Sequence, residues 1–405
     1  MNRALEILKE RGFVQQCTDE AGLSAALDEG PVTFYVGIDP TGPSLHIGHM
    51  VPVFALRHMR EAGNVGIALL GGGTARIGDP SGKTETRKMI SYAAIDANAE
   101  LFRKQLDAFV RFDDRTAFAA NNKDWLANLN YIDFLREIGS HFSVNRMLSF
   151  EAYKIRMETG LSFVEFNYQL LQSYDFLELW RRHGCRLQIG GDDQWGNIVA
   201  GIELIRRVEG AECFGLTFPL IMTSDGKKMG KTEKGALFLD PSMTSPWDFF
   251  QYWRNVTDAD VERFLLLFTF LPVEECKALA SGDINAAKAR LAWEVTAIIH
   301  GKDAADQARE AALAAFGGSG DIAKIPSKVM SRTEIAAGIG VLDLFVLAGL
   351  ASTKSEARRL VQQGGAIVND TRIEDEKATI DGRWIVEGAL LLRAGKKRIF
   401  RIVVE

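Results

Sequence analysis

The sequence predicts an α/β protein built on a doubly wound parallel sheet. Two short apolar runs, VTFYVGI at 32–38 and VGIALLGG at 65–72, are bounded by glycine and indicate buried strands. The stretch 46–62 between them has helical character, so strand, helix and strand follow one another. A second strand and helix are predicted from CRLQIGG at 185–191 and NIVAGIELIRRVEG at 197–210. Repeated units of this kind favour a parallel sheet covered by helices.

The chain changes character twice after this sheet. Residues 246–316 contain successive helical patterns with few strand signals. The stretch FGGSGDIAKIPSKVMS at 316–331 is rich in glycine, serine and lysine, which indicates a linker. The predicted organisation is an N-terminal helical segment at 1–30, a doubly wound domain at 31–235 with a helical insertion at about 120–165, an all-helical domain at 236–318, a linker at 319–336 and a small α+β module at 337–405.

The composition is that of an ordinary globular protein. The chain has 405 residues, of which 47% are hydrophobic and 25% charged. Its net charge of −5 shows that the chain as a whole is not a polycation. Its four cysteines are far apart and form no C-x-x-C pair, so neither a zinc site nor a disulfide framework is indicated. No stretch approaches the roughly 18 apolar residues of a membrane span. We therefore expect a cytoplasmic protein that does not enter membranes.

The segment IGDPSGKT at 77–84 resembles a phosphate-binding loop but departs from its pattern. A Walker-type loop needs glycine five residues before the Gly-Lys pair, and this position is Ile77. Gly78 stands one residue too close, and Pro80 removes one N–H group from the phosphate cradle. A P-loop NTPase is therefore disfavoured, and the alternative is a glycine-rich turn between a strand and a helix.

Paired histidines stand at the first strand–helix junction. In YVGIDPTGPSLHIGHM at 35–50, His46 and His49 begin a helix at the carboxyl end of a strand, where open α/β sheets bind ligands. Helix N-termini attract phosphate, and imidazole can donate hydrogen bonds to phosphate oxygens. Gly48 would let a flat ring approach the backbone. Taken alone, the pair could instead be two metal ligands or two surface histidines, and its spacing by itself favours that interpretation over a phosphate site.

A lysine-rich loop and a polar helix face are two further candidates. The loop DGKKMGKTEKG at 225–235 is either a solvated hairpin or a mobile segment that closes over a polyphosphate. Tyr168, Gln172 and Asp175 follow one another at spacings of four and three, which places them on one face of a helix. Their neighbours are apolar, so this face is either a buried structural network or the wall of a polar-ligand pocket.

The order of these motifs resembles a known enzyme family. HIGH together with KMGKT resembles the two signature motifs of class I aminoacyl-tRNA synthetases, although KMGKT departs from the commonest form at Gly230 and Thr232. With GDPSGK, NYQLLQSYD and QIGGDDQWGNI added, the chain from about 30 to 320 resembles the bacterial tyrosyl-tRNA synthetases. The resemblance implies a Rossmann-like catalytic domain, a helical domain on the anticodon side and a C-terminal RNA-binding module.

The resemblance also implies roles for individual residues. The implied tyrosine-binding residues are Tyr35 and Asp175 at the phenol hydroxyl, Asp79, Tyr168 and Gln172 at the α-ammonium group, and Gln194 near the carboxylate. The implied ATP-binding residues are Gly37, Asp39, His46, Gly48, His49, Gly191, Asp193, Lys228 and Lys231. The residues expected to act on the transferring phosphate are Thr41, His46, His49, Lys83, Arg87, Lys228, Lys231 and Thr232. Mg²⁺ is expected to bind through ATP, with no metal held by the protein itself.

Partners follow from the same resemblance. Lys354, Arg358 and Arg359 lie off the apolar face of a capped helix, which is either a solvated basic face or a contact with the tRNA backbone. The implied partners are tRNA(Tyr), L-tyrosine, ATP and a second copy of the chain, through the α/β domain. Two alternatives stay open, a tryptophan-specific relative and an RNA-binding protein derived from a synthetase. Tyr35 and Asp175 suit a phenol hydroxyl better than an indole N–H.

Overall fold

The computed structural model describes the backbone of residues 3–81, 90–222, 224, 229, 231–232, 235–316, 325–395 and 398–405. Two compact units are present. The first comprises Met1–Thr244 with Val256–Leu291, and the second comprises Ser245–Asn255 with Ala292–Glu405.

The first unit is built on a six-stranded sheet. Its strands are β1 (Gln16–Cys17), β2 (Thr33–Ile38), β3 (Val65–Leu70), β4 (Ala117–Asn121), β5 (Leu187–Gly191) and β6 (Phe214–Phe218). They lie in the order β1-β6-β5-β2-β3-β4, and all neighbours pair in parallel except β1, which pairs antiparallel with β6 at one edge. The chain leaves β2 for β3 on one side and later returns to place β5 on the other. This order confirms the predicted doubly wound sheet and puts its switch point between β2 and β5.

Helices connect these strands and continue to residue 316. They are α1 (Arg3–Glu10), α2 (Glu20–Glu29), α3 (Met50–Glu61), α4 (Tyr92–Val110), α5 (Lys123–Leu126), α6 (Tyr131–Glu137), α7 (Val144–Ser149), α8 (Glu151–Thr159), α9 (Phe163–Phe166), α10 (Tyr168–His183), α11 (Trp195–Glu209), α12 (Pro246–Arg254), α13 (Val261–Phe268), α14 (Val273–Ser281), α15 (Ile284–His300) and α16 (Lys302–Phe316). None of the helices in the described part of the chain is long and apolar enough to cross a membrane.

Local sequence explains where the main elements begin and end. Phe34, Tyr35 and Val36 of β2 are all buried, as a central strand covered on both faces requires. Helix α11 ends at Gly210, whose φ of 65° is the left-handed conformation that glycine adopts most readily.

A short hairpin, β7 (Lys231–Thr232) with β8 (Gly235–Ala236), follows the sheet in the first unit.

The second unit ends in the small α+β module. Its strands are β9 (Ser327–Met330), β10 (Ile339–Gly340), β11 (Ala366–Val368), β12 (Thr371–Arg372), β13 (Thr379–Ile380), β14 (Ala389–Ala394) and β15 (Arg398–Val404). Its helices are α17 (Arg332–Ala336), α18 (Val341–Leu347) and α19 (Lys354–Gln362). A five-stranded sheet has the order β12-β11-β14-β15-β9, and β10 pairs with β13.

Strand β9 and helix α17 lie inside the stretch 319–336 for which the sequence predicts a linker. The strand pairs in parallel with β15 at the far end of the chain. Ile325 and Met330, on either side of β9, are buried. A four-residue strand has too little periodicity to be recognised alone, so its pairing with a distant strand decides its conformation.

Candidate active site

A cavity of about 310 Å³ lies at the carboxyl ends of β2 and β5, at the switch point of the sheet. It brings together predicted residues from distant parts of the chain. Those that line it are Tyr35, Gly37, Asp39, Thr41, His46, His49, Asp79, Tyr168, Gln172, Asp175, Gly191, Asp193 and Gln194. The predicted tyrosine-binding and ATP-binding residues whose side chains are described therefore face one cavity, with Gly48 as the exception.

The predicted cationic residues are the part of the site that the structure does not describe. Lys83, Arg87 and Lys228 lie outside the described residues. Lys231 and Thr232 are described only as backbone, in strand β7. Their roles stay predictions.

Asp175 lies on α10 at the buried end of the cavity. Only 2% of the residue is exposed. Its Oδ2 accepts a hydrogen bond from Nδ2 of Asn122 at 2.8 Å, and its Oδ1 accepts one from Nε1 of Trp125 at 2.7 Å. Burial raises the pKa of this carboxyl to about 8, although the two donated hydrogen bonds oppose the shift. Near neutral pH the group can therefore hold a proton and donate it to a ligand oxygen.

Tyr35 presents an unpaired hydroxyl to the same region. The residue is 1% exposed, its ring lies 5.3 Å from that of Phe176, and its hydroxyl has no hydrogen-bond partner among the described residues. Burial and the nearby charge of Asp175 raise its pKa well above the usual value, so the hydroxyl stays neutral. An unpaired buried hydroxyl costs free energy that a polar ligand can recover.

Asp39 joins the strand β2 to the polar face of α10. Its Oδ1 accepts from Oγ1 of Thr74 at 2.7 Å, and its Oδ2 accepts from the hydroxyl of Tyr168 at 3.1 Å. Nδ2 of Asn122 lies 2.9 Å from the Thr74 hydroxyl, so the network continues towards Asp175. Gly71 permits this approach, because a Cβ there would lie 1.9 Å from Oδ1 of Asp39.

Asp79 belongs to a second hydrogen-bond network of the cavity, together with Gln172, Gln194 and Asn197. The preceding Gly78 has a φ of 90°, and the Asp79 carboxylate accepts from the backbone N of Ser81 at 2.9 Å and from Nε2 of Gln194 at 2.8 Å. Nδ2 of Asn197 lies 3.1 Å from the side-chain oxygens of both Gln172 and Gln194. Residues 78–81 thus present a carboxylate to the cavity, at the position where the resemblance implies one.

The two histidines are each held by a backbone hydrogen bond at the start of the helix. Nδ1 of His46 accepts from the backbone N of Gly48 at 3.0 Å, and Nδ1 of His49 accepts from the backbone N of His46 at 3.1 Å. The ring centroids are 3.9 Å apart, and burial together with His46 lowers the pKa of His49 to about 3. Because each Nδ1 is an acceptor, each proton resides on Nε2, which can donate to phosphate.

Gly48 leaves room for the ring of His46. A Cβ at position 48 would lie 2.8 Å from Cε1 of His46, and Gly48 is not among the residues that line the cavity. The ring of His46 is therefore one reason for glycine at this position, and the predicted approach of a ligand ring to Gly48 stays a prediction.

The segment that follows hairpin β7–β8 pairs with the histidine turn. The backbone N of Ile47 donates to the O of Leu237 at 3.0 Å, and the backbone N of Leu239 donates to the O of Leu45 at 2.8 Å. The segment 237–239, which follows β8, therefore runs along the histidine turn. The position of the KMGKT lysine side chains lies outside the described residues, so their approach to the site stays a prediction.

Sequence reasoning missed several polar residues of the site. Thr74, Asn122, Gln188 and Trp125 support or line the cavity without having been predicted. Gln188 offered a usable signal, since it is the one amide in the apolar strand β5. Trp125 offered none, because α5 has only four residues and shows no periodicity.

The predicted RNA-binding residues lie on α19 and differ in their pairing. Lys354 forms an ion pair with Asp343 at 2.6 Å, and Arg358 forms one with Glu376 at 3.3 Å. Arg359 is exposed and takes part in no ion pair among the described residues. It is the member of the three whose charge is not already neutralised within the module.

Comparison with known proteins agrees with this geometry. A doubly wound sheet with a histidine turn at its switch point is the class I synthetase type of catalytic domain. A family model described as tRNA synthetases class I (W and Y) matches residues 27–317, and one described as Tyrosine--tRNA ligase SYY-like C-terminal domain matches residues 321–402. The chain belongs to the class I tRNA synthetases of the W and Y family.

Curated relatives match over the whole length. The chain is 62% identical over 404 residues to the Tyrosine--tRNA ligase of Treponema denticola, with 100% of both chains covered. It is 52% identical over 404 residues to that of Caldanaerobacter subterraneus subsp. tengcongensis, with 99% of each covered.

Solved structures of synthetases have a similar fold. A C-terminally truncated mitochondrial tyrosyl-tRNA synthetase of Aspergillus nidulans superposes with a TM-score of 0.68 at 31% identity, covering 76% of this chain and 92% of that one. A tryptophanyl-tRNA synthetase of Encephalitozoon cuniculi bound to tryptophan gives a TM-score of 0.58 at 14% identity, covering 76% and 91%, and so shares the fold.

Proposed function

We propose that the chain is a tyrosine–tRNA ligase. It uses ATP to convert L-tyrosine to tyrosyl adenylate and then transfers tyrosine to the 3′ end of tRNA(Tyr), releasing pyrophosphate and AMP. The observation that supports tyrosine above all is the buried, unpaired hydroxyl of Tyr35 in the same cavity as Asp175. The full-length relatives named as tyrosine–tRNA ligases support the same assignment.

The proposed tyrosine site uses both polar networks. Tyr35 and Asp175 would hydrogen-bond the phenol hydroxyl, while Asp79 and Gln172 would hold the α-ammonium group. Tyr168, whose hydroxyl donates a hydrogen bond to Asp39, would join Asp79 and Gln172 at the α-ammonium group. A site built to bond a hydroxyl leaves buried groups unpaired when phenylalanine enters. Tyrosine-specific synthetases are the standard example of this effect, with discrimination of about 10⁴–10⁵.

The proposed activation step needs positioning and charge stabilisation rather than a general base. The tyrosine carboxylate is already an anion when it attacks the α-phosphorus of ATP, and pyrophosphate leaves with the electron pair. Thr41 and the Nε2–H groups of His46 and His49 would donate to phosphate oxygens as charge develops. Both rings are held in place by backbone hydrogen bonds, so little reorganisation is required.

The remaining ATP contacts are proposed from the resemblance. Gly37 is exposed in the cavity, and its ideal Cβ would meet only the Tyr35 ring, at 3.9 Å, so nucleoside can lie against this backbone. Asp39, Gly191 and Asp193 would complete the nucleoside contacts, with Gln194 beside the tyrosine carboxylate. Mg²⁺ would arrive on the ATP phosphates as part of the substrate. The cationic residues proposed to steady pyrophosphate are Lys83, Arg87, Lys228 and Lys231, with Thr232 beside them.

We further propose that two copies associate through the first unit. Tyr131, Phe163 and Val164 line an apolar cavity of about 390 Å³ and are exposed, and Ile132 beside them is 69% exposed. An exposed apolar patch of this kind marks a protein interface. The partners are then tRNA(Tyr), the two small substrates and a second copy of the chain.

Amino-acid-dependent exchange of pyrophosphate into ATP tests the function. The purified protein is assayed with each of the twenty amino acids, and we expect exchange with tyrosine alone. Asp175→Ala should reduce kcat/KM for tyrosine by two orders of magnitude or more, because Asn122 and Trp125 lose their common acceptor. Exchange with tryptophan alone would overturn the substrate, and no exchange with any amino acid would favour a non-catalytic RNA-binding protein.

A further inference from the structure

The turn that carries Asp193 and Gln194 is held in place by its other acidic residue, Asp192. Asp192, Asp193 and Gln194 form a single 3₁₀ turn directly after β5. Asp193 and Gln194 line the cavity, whereas Asp192 is absent from its lining. The side chain of Asp192 is instead engaged by two donors. Its Oδ1 accepts from Nε2 of Gln16 at 2.7 Å and from Oγ1 of Thr217 at 2.9 Å.

These two donors sit opposite each other in the sheet. Gln16 and Thr217 are register partners in the antiparallel pair of β1 and β6. Thr217 is fully buried, so its hydroxyl has a fixed direction. The N-terminal strand therefore supplies one of the two hydrogen bonds that orient a turn in the cavity wall, although it is about 175 residues away along the chain.

Strand β1 does not need the Gln16 side chain in order to stay in place. The backbone N of Gln15 donates to the O of Thr217 at 2.8 Å, and the backbone N of Thr18 donates to the O of Gly215 at 3.0 Å. Ahead of the strand, the buried ring of Phe13 packs edge-on against Phe218 with centroids 6.2 Å apart. The Gln16 amide can therefore be removed while the strand stays paired.

We propose that Gln16 is a positioning residue of the ATP site, acting through Asp192 on the turn that presents Asp193. This inference rests on the proposed function, in which Asp193 contacts the nucleoside. Gln194 depends less on Asp192, because Asp79 and Asn197 hold its amide separately. Loss of the Gln16 bond thus displaces the ATP contact more than the tyrosine contact.

The test is steady-state pyrophosphate exchange by Gln16→Leu with ATP and tyrosine varied in turn. A hydrogen bond to a charged acceptor is worth enough to raise KM for ATP about tenfold, whereas KM for tyrosine should change less than twofold. Gln16→Glu places a second carboxylate beside Asp192 and should raise KM for ATP further. Gln15→Leu is the matched control, since Gln15 is an exposed neighbour whose backbone bond is preserved, and it should behave as the parent.

A double-mutant cycle separates positioning from a general loss of structure. In an Asp193→Ala background, Gln16→Leu should change KM for ATP less than twofold, because the contact on which it acts is already missing. Equal effects in both backgrounds, or a Gln16→Leu enzyme indistinguishable from Gln15→Leu, would overturn the proposal. The parent protein is assayed first, so absence of tyrosine-dependent exchange in the parent would count against the proposed function alone.

Discussion

At the scale of single residues, the cavity combines groups that are costly to bury without a ligand. Tyr35 keeps an unpaired hydroxyl at 1% exposure, and Asp175 is a buried carboxyl whose pKa is raised to about 8. Both features are unfavourable in the free protein, since neither the hydroxyl nor the carboxylate has the solvation it would have in water. A ligand hydroxyl placed between them would satisfy both. The free protein therefore gives up stability for specificity at these positions.

Tyr35→Phe separates these two quantities. Removing the unpaired hydroxyl should leave the free energy of unfolding unchanged or raise it by about 1 kcal/mol. The preference for tyrosine over phenylalanine in pyrophosphate exchange should fall by at least tenfold, because one hydroxyl-specific bond is lost. Thermal unfolding and kcat/KM for both amino acids measure the two effects. A marked loss of stability with unchanged preference would show that Tyr35 is only a packing residue.

At the scale of elements, helix α3 connects the active-site cavity to a second packed region of the first unit. Helix α3 begins at the histidine turn and buries His58 at its other end. The ring of His58 lies 5.6 Å from that of Phe13 and 4.7 Å from that of Phe270. Arg11 lies near it and donates to the backbone O of Leu266 at 2.9 Å, at the end of α13. The N-terminal segment, α3 and α13 thus share one packed region in which Arg11 and His58 are buried and Arg57 lies over the ring of Phe270.

This packing predicts a loss of stability in acid. Burial, together with the charges of Arg11 and Arg57, lowers the pKa of His58 from 6.5 to about 3. The unfolded chain takes up a proton below pH 6.5 and the folded chain does not until about pH 3. The free energy of unfolding should therefore fall as pH falls through this window, by up to about 1.4 kcal/mol per pH unit from this residue. Denaturant unfolding at several pH values measures the slope, and His58→Leu should flatten it. Parallel curves for parent and variant would exclude His58 as the source.

Helix α19 offers a second test at this scale. Arg359→Gln should weaken tRNA binding and reduce the dependence of log Kd on log salt by about one, because it removes a cation with no ion pair in the described module. Lys354→Gln is the matched control on the same helix and should have a smaller effect, since Lys354 is already paired with Asp343. Filter-binding titrations over a range of salt concentrations compare the two. Identical losses would show that pairing within the module does not decide which cation contacts tRNA.

At the scale of the whole molecule, the apolar surface of the first unit predicts self-association. Phe163→Glu places a charge in the exposed apolar patch and should convert a dimer to a monomer in analytical ultracentrifugation. Val144→Glu is the control, because Val144 is comparably exposed, at 56%, and does not line that patch. A parent protein that sediments as a monomer, or two variants that behave alike, would contradict the proposed interface.

The sequence by itself determined the doubly wound sheet, which follows from local patterns, and most residues of the cavity, which follow from the resemblance of its motifs to a known family. Buried parallel strands are short apolar runs between glycines, and their carboxyl ends meet at one edge of a sheet. Tyr168, Gln172 and Asp175 could be placed on one helix face by spacing alone. Only the tertiary structure showed that Asn122 and Trp125 hold Asp175, that β9 pairs with β15 and that Gln16 reaches Asp192. These contacts join short segments far apart in the chain, where local periodicity carries no information and the packing of distant elements decides the partner.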